Sequence, residues 1–394
     1  MPRTCDVAII GGGIGGLTLA IALAQAPLSV QIFEQDIALR EIGAGIAISG
    51  NATRLLQKLG VDPTPVANVP PTLEFRRWND GQLLWSHPIG NWYRQEMGAP
   101  FVTLHRSTLQ QLLAAAVPSE SIHLSHRLRG LSEEPDGVRL QFERGDEFLA
   151  GIVVGADGVN STVRRFICGD VRPVYSGEIG FRGVIPTEKS PNLPTPMSLH
   201  IWCGTGTHAV LYGMDRGELV NLLAVYEPDQ LPEWTRNSSR AAGTRDDALR
   251  IFETYRWDNR ILDLVRHIEG DTNFWALLDL PRLPRWSRGR AVILGDAAHA
   301  PLPHQGQGAG QAIEDAYIIG SLLAEHGLDD YRSTFECFER TRRRRTSRVQ
   351  AYSRLAGRSY KLTGNGATTR DADWPSLPQR IAWIHRHRED TAMC

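Results

Sequence analysis

Cys5–Glu34 reads CDVAIIGGGIGGLTLAIALAQAPLSVQIFE. Cys5–Ile10 has the unbroken apolar pattern of a strand covered on both faces. Gly11, Gly13 and Gly16 set the spacing G-x-G-x-x-G, and Leu17–Gln25 continues as an apolar helix. Val30–Phe33 reads as a second strand that ends in Glu34, eighteen residues after Gly16. The glycines allow a tight turn and let a pyrophosphate rest on the helix N-terminus, while Glu34 can accept hydrogen bonds from ribose hydroxyls. A glycine-rich turn in an unrelated α/β protein is the plain alternative. Strand, helix, second strand and terminal acid together argue for one βαβ unit that holds a dinucleotide, with NAD and FAD both open. Val7–Ala24 is uncharged enough for a membrane span or a signal core. Its glycine-rich first half and single basic leader, Arg3, favour strand–turn–helix instead.

Two later stretches repeat the pattern of a strand ending in an acid. Phe148–Val154 runs into Gly155-Ala156-Asp157-Gly158-Val159-Asn160-Ser161-Thr162-Val163-Arg164, and Ala291–Leu294 into Gly295-Asp296. Open α/β sheets bind ligands at this carboxyl edge. After Asp296, Pro301 and Pro303 stiffen a turn, and Gly306, Gly308 and Gly310, with Ala309 between, let a backbone approach something flat and large. The free N–H groups that open the Gln311–Ala316 helix suit an electron-rich atom. His304 lies between the rigid and flexible halves; a packed histidine in a connector is the plain alternative. Arg40–Ile46, with Gly45, is another glycine-rich loop, and Arg106 stands at a helix entrance, where it meets a phosphate or solvent.

At 394 residues the chain can bury two cores. Its net charge of −1, from 43 basic and 44 acidic residues, gives no field for nucleic acid or an anionic membrane. Five scattered cysteines without metal-ligand spacing suggest reduced thiols in a cytoplasmic protein, and no metal site. Leu73–Trp78 and Gln82–Ser86 alternate around Asn79-Asp80-Gly81 as a hairpin. Phe181–Ile185, Met197–Cys203, His208–Tyr212 and Glu218–Tyr226 predict a mostly antiparallel second sheet. The chain after Ala316 is expected to be helical to about Arg358, with the arginines at 340, 342–345 and 348 on a solvated face. The tail from Thr369, with its His385-Arg386-His387 cluster, carries no metal spacing.

GGGIGG with Glu34, GADGVNSTVR and GDAAHAPLPHQGQGAG, in this order, resemble the single-component flavoprotein aromatic hydroxylases, the p-hydroxybenzoate hydroxylase-like group. The resemblance runs from Asp6 to the arginine-rich helix. The wording is most similar to salicylate hydroxylases, and similar to 3-hydroxybenzoate and 6-hydroxynicotinate monooxygenases. It implies an α/β, overall α+β, fold: a Rossmann-like FAD-binding domain (1–72, 101–172 and 285–330), an antiparallel substrate domain (73–100 and 173–284) and a C-terminal helical region (331–394). It implies noncovalent FAD held by Gly11, Gly13, Gly16, Glu34, Arg40, Gly45, Arg106, Asp157, Asp296, Gly308 and Ala309. NAD(P)H would visit transiently, since only one complete dinucleotide fingerprint is present.

The resemblance further implies that reduced flavin and O2 give a C4a-hydroperoxide that hydroxylates a small phenolic acid. A base near neutrality would help by deprotonating the phenol. His304 is the candidate, directly or through a water, and Tyr212 matches a substrate-facing tyrosine; a His208 on the same strand reads as structural. Arg182 is a candidate for the substrate carboxylate and equally for a structural role. Where 6-hydroxynicotinate enzymes carry a histidine after GAGI, this chain has Ala47. The same scaffold hosts reductases and dehydrogenases, and non-enzymatic GDP-dissociation inhibitors. A homodimer is left open.

Overall fold

The computed structural model describes residues 3–39, 45–230, 232–236, 238–270 and 272–388. Arg40 lies outside the described residues. The first sheet runs in the order Ser287–Arg288, Ala291–Ile293, Glu147–Gly155, Arg3–Ile10, Val30–Phe33, Ile122–His123. From Ala291–Ile293 to Ile122–His123 its neighbours are parallel. Parallel strands are covered on both faces, which is why Val7, Ala8, Ile9, Val153 and Val154 are fully buried. The Ile14–Leu23 helix follows the first strand and packs on the Gly308–His326 helix, where a Cβ on Gly320 would stand 2.6 Å from that of Ala22. Gly11 needs to be glycine twice over: its φ is +109°, and a Cβ there would meet the Ala156 carbonyl oxygen at 2.4 Å.

The second sheet has the order Arg240–Ala242, Asn273–Asp279, Val174–Pro186, Leu219–Tyr226, Thr207–Met214, Leu199–Gly204, Thr72–Arg77, Leu83–Pro88. Only the pair Leu199–Gly204 with Thr72–Arg77 is parallel. Alternation divides its faces. Phe181, Ala224, Ala209 and Trp202 share one face and bury against Phe252, Ile261 and Val265 of the Arg245–Thr254 and Asn259–Arg266 helices. The other face looks back at the first sheet. A short ladder, Gly45–Ile48 with Val102–His105, joins the two regions; sequence alternation alone did not reveal it.

Two expectations need correction. The helical stretch after Ala316 is two helices, Gly308–His326 and Tyr331–Tyr360, broken at Gly327 with φ +70°. Its arginine run is not a solvated face throughout. Arg342 is fully buried: Nη1 donates to Glu314 at 2.6 Å, Nε to Asp315 at 2.6 Å and Nη2 to the Gln311 side chain at 2.9 Å. Arg345 joins Glu314 at 2.7 Å. Two adjacent acids on the Gly308–His326 helix require cations, and the long helix supplies them across the packed interface. Cys5, Cys168 and Cys203 are free thiols.

Candidate active site

A cavity of about 960 Å³ lies between the sheets, from the glycine loop to the inward face of the second sheet. Gly11, Gly13, Ile14 and Gly15 line one end. The Ile14–Leu23 helix has no side-chain cap and no acid in its first turn, so its N–H groups remain for an anion. Gly16 stays behind the wall: a Cβ there would sit 2.0 Å from the Gly11 carbonyl oxygen, so its work is helix–strand packing. Glu34 lines the same end and accepts from the Gly12 N–H at 2.7 Å and the Asp36 N–H at 2.9 Å.

Three further positions converge on the middle. Asp157 lines the cavity, but its carboxylate accepts from the Ser161 hydroxyl and from the N–H of Thr162 (2.7 Å) and Val163 (3.1 Å), closing the start of the Thr162–Cys168 helix. Burial pushes its pKa up and these hydrogen bonds pull against that. Asp296 opens into the cavity at the end of the Ala291–Ile293 strand. Arg106, at the start of the Arg106–Ala115 helix, is pushed down by burial and drawn back up by the Asp296 charge. Gly308 and Ala309 open the Gly308–His326 helix, which also lacks a side-chain cap. Two uncapped helix starts facing one cavity, with acids beside them, fit a dinucleotide carrying an electron-rich ring.

The floor is built by register. Arg182, Leu223, Val210, Ile201, Phe75 and Trp85 stand opposite one another across six strands, and all line the cavity. The next row includes Asn221 paired with Tyr212. Gly45 lies against both: its N–H donates to Asn221 Oδ1 at 2.8 Å, and a Cβ on it would stand 2.6 Å from the Tyr212 ring. Burial holds the Tyr212 hydroxyl well above the usual tyrosine range, so it stays protonated, with Arg182 opposing. Burial lowers Arg182, the Arg106 charge lowers it further and Tyr212 opposes. Its Nε is enclosed without a hydrogen-bond partner.

His304 forms part of the wall, in the short Pro303–Gln305 turn, yet its side chain is only 1% exposed. Its Nε2 is 2.9 Å from Glu178 Oε2, and its Nδ1 is enclosed without a partner. Glu178 also meets Lys361, which reaches on to Glu227. His208 packs beside His304 with ring centroids 5.0 Å apart, and burial holds it neutral. Glu178 and Lys361 carried no signal in the sequence, because their partners are remote. Among the described residues no cluster of His, Cys, Asp and Glu could hold a metal, and no helix is long and apolar enough to cross a membrane.

These features define a flavoprotein of the FAD binding domain family, whose model matches residues 4–352, and the chain belongs to that family. Within it, the chain falls in the single-component aromatic hydroxylase group and is an FAD-dependent monooxygenase using reduced nicotinamide. It is 33% identical over 384 residues to a 3-amino-4-hydroxybenzoate 2-monooxygenase of Streptomyces platensis, covering 96% of this chain and 95% of that one. It is 34% identical to the 6-hydroxynicotinate 3-monooxygenase of Bordetella bronchiseptica, covering 88% and 90%. A salicylate hydroxylase in its substrate complex superposes with a TM-score of 0.82 at 27% identity, covering 98% of this chain and 96% of that one.

Proposed function

We propose that the protein hydroxylates a small, salicylate-like phenolic carboxylic acid, with NAD(P)H and O2. Arg182 carries this reading. A guanidinium on the cavity floor, with an enclosed Nε and no carboxylate acting on it among the described residues, calls for an anionic ligand. The substrate carboxylate is that anion, and the protonated Tyr212 hydroxyl is a donor for the ring oxygen beside it. Leu223, Val210 and Ile201 supply the dry surface under the ring.

Bound FAD, once reduced, supplies the oxygen activation; the chain supplies orientation and proton handling. Gly11–Gly15 and Glu34 would hold the adenosine and pyrophosphate, Asp296 the ribityl chain, and Gly308 and Ala309 the pyrimidine edge. A phenol attacks better as its phenolate, so the hydroxyl proton needs an acceptor. We assign this to His304, whose Nε2–H is directed to Glu178, leaving Nδ1 basic. With the ring enclosed and Nδ1 without a protein partner, the proton would reach it from the substrate directly or through one water.

The test is NAD(P)H oxidation, O2 uptake and product analysis with a panel of hydroxylated benzoates and 6-hydroxynicotinate. Arg182→Met should raise KM for the accepted acid by about 10²-fold, with Arg182→Lys recovering part of the loss and FAD remaining bound. Anaerobic multiple turnover to a reduced product would instead assign a reductase.

A further inference from the structure

The acid anchor at Arg182 accounts for only one end of the cavity. The floor continues through five strand spacings to Trp85, about 24 Å at ~4.8 Å per strand. A single-ring acid held at Arg182 covers roughly two of those spacings. The far end is roofed by the Asn91–Met97 helix and by the C-terminal Leu377–His385 helix, which lies beyond the residues matched by the family model.

That far end is dry in a specific way. Its wall includes Phe75, Trp85, Trp92, Met97, Leu377 and Ile381. The two polar groups on its roof satisfy each other: Tyr93 Oη lies 2.9 Å from His385 Nδ1 and also accepts from the Gly50 N–H at 2.9 Å. Burial lowers His385 to about 4, so it is neutral. His87 lies in the same wall, its ring stacked on Trp85 at 5.4 Å and edge-on to Trp92 at 4.5 Å. Burial keeps that ring neutral too, and its Nε2 is enclosed. Arg182 fixes the charged end of a ligand, and this end offers carbon and aromatic faces in return.

We propose that the far end is a subsite for an apolar substituent, alkyl or aryl, on the substrate ring, closed by the C-terminal helix. The substrate class is thereby narrowed to ring-substituted phenolic acids. The proposal rests on the reading of Arg182 as the acid anchor.

The experiment uses the full-length FAD-loaded enzyme with salicylate and its 4- and 5-propyl derivatives. Kd is read from quenching of tryptophan fluorescence, to which Trp85 and Trp92 contribute, and KM from NAD(P)H oxidation. Burial of three methylene equivalents, at about fourfold each, should tighten one propyl isomer by about 60-fold over salicylate. Ile381→Trp, or Leu377→Phe if that variant fails to fold, should shrink this propyl-to-salicylate ratio toward one. A propyl series no tighter than salicylate, or a ratio that neither variant moves, overturns the subsite while leaving the hydroxylase reading intact. Failure of all these acids to bind removes the acid anchor and the subsite together.

Discussion

Nε2 of His304, in the Pro303–Gln305 turn, stands 2.9 Å from Oε2 of Glu178, 126 positions earlier on the Val174–Pro186 strand. The carboxylate fixes the orientation of the ring, while Lys361 holds its other oxygen. His304→Gln should slow hydroxylation by about 10²–10⁴-fold with FAD still bound. The loss should be largest below the phenol's own pKa and shrink as pH rises, because the hydroxyl then ionises unaided. A loss of equal size at every pH would leave the histidine a packing role only.

Glu178 also makes a pH prediction for stability. Burial alone would raise its pKa, but the His304 hydrogen bond and charge, and then Lys361, outweigh it and hold the carboxyl at about 2 rather than 4.5. A depressed folded pKa adds stability above the unfolded value, and that stability disappears as pH falls from about 4.5 toward 2. The contribution is on the order of 3 kcal/mol. Glu178→Gln should be less stable at neutral pH and show a flatter loss of stability across that acid window, measured by urea unfolding.

Asp296 opens to the cavity at the end of its strand, and Arg106 responds to its charge. Asp296→Ala should weaken FAD binding by about 10- to 150-fold, the worth of a charge-assisted hydrogen bond. Flavin release on dilution measures this, and the unfolding midpoint of the FAD-free protein should stay near the parent's. A lowered apoprotein midpoint with unchanged FAD affinity would make the residue structural.

Arg342 answers two buried acids at once, and one of them, Asp315, accepts from the Gly295 N–H at 2.8 Å at the turn preceding Asp296. Arg342→Met should therefore cost about 3–5 kcal/mol in denaturant unfolding, since it removes the cation that the two buried carboxylates share and leaves Glu314 only Arg345 and Asp315 only His299. Arg344→Met, exposed in the same run and without an ion pair among the described residues, serves as the control and should change stability by less than about 0.5 kcal/mol.

The βαβ unit was legible because each of its parts is local. An apolar run, glycines at fixed spacing and an acid at the strand end are all set within thirty residues, and backbone sterics leave few alternatives. The acids at Asp157 and Asp296 were legible for the same reason, whereas Tyr212 was singled out only by the family resemblance, and its place on the cavity floor follows from the strand register. What those acids touch was not: Asp157 closes a helix start, and Gly16 packs behind the wall.

Long-range pairing was decided only by the tertiary structure. The arginine run reads as solvent-facing because its sequence neighbours are polar, yet Arg342 turns inward to acids 27 and 28 residues away. Glu178, Lys361 and the Leu377–His385 roof sit at the cavity for the same reason. The sequence by itself determined the dinucleotide-binding unit through short-range geometry, with NAD and FAD both open, and the flavoprotein class through the resemblance carried by its three motifs. Which residues enclose His304, and how far the cavity runs past Arg182, follow from the register of one sheet and its packing against the C-terminal helices, because burial and charge pairing belong to the assembled chain.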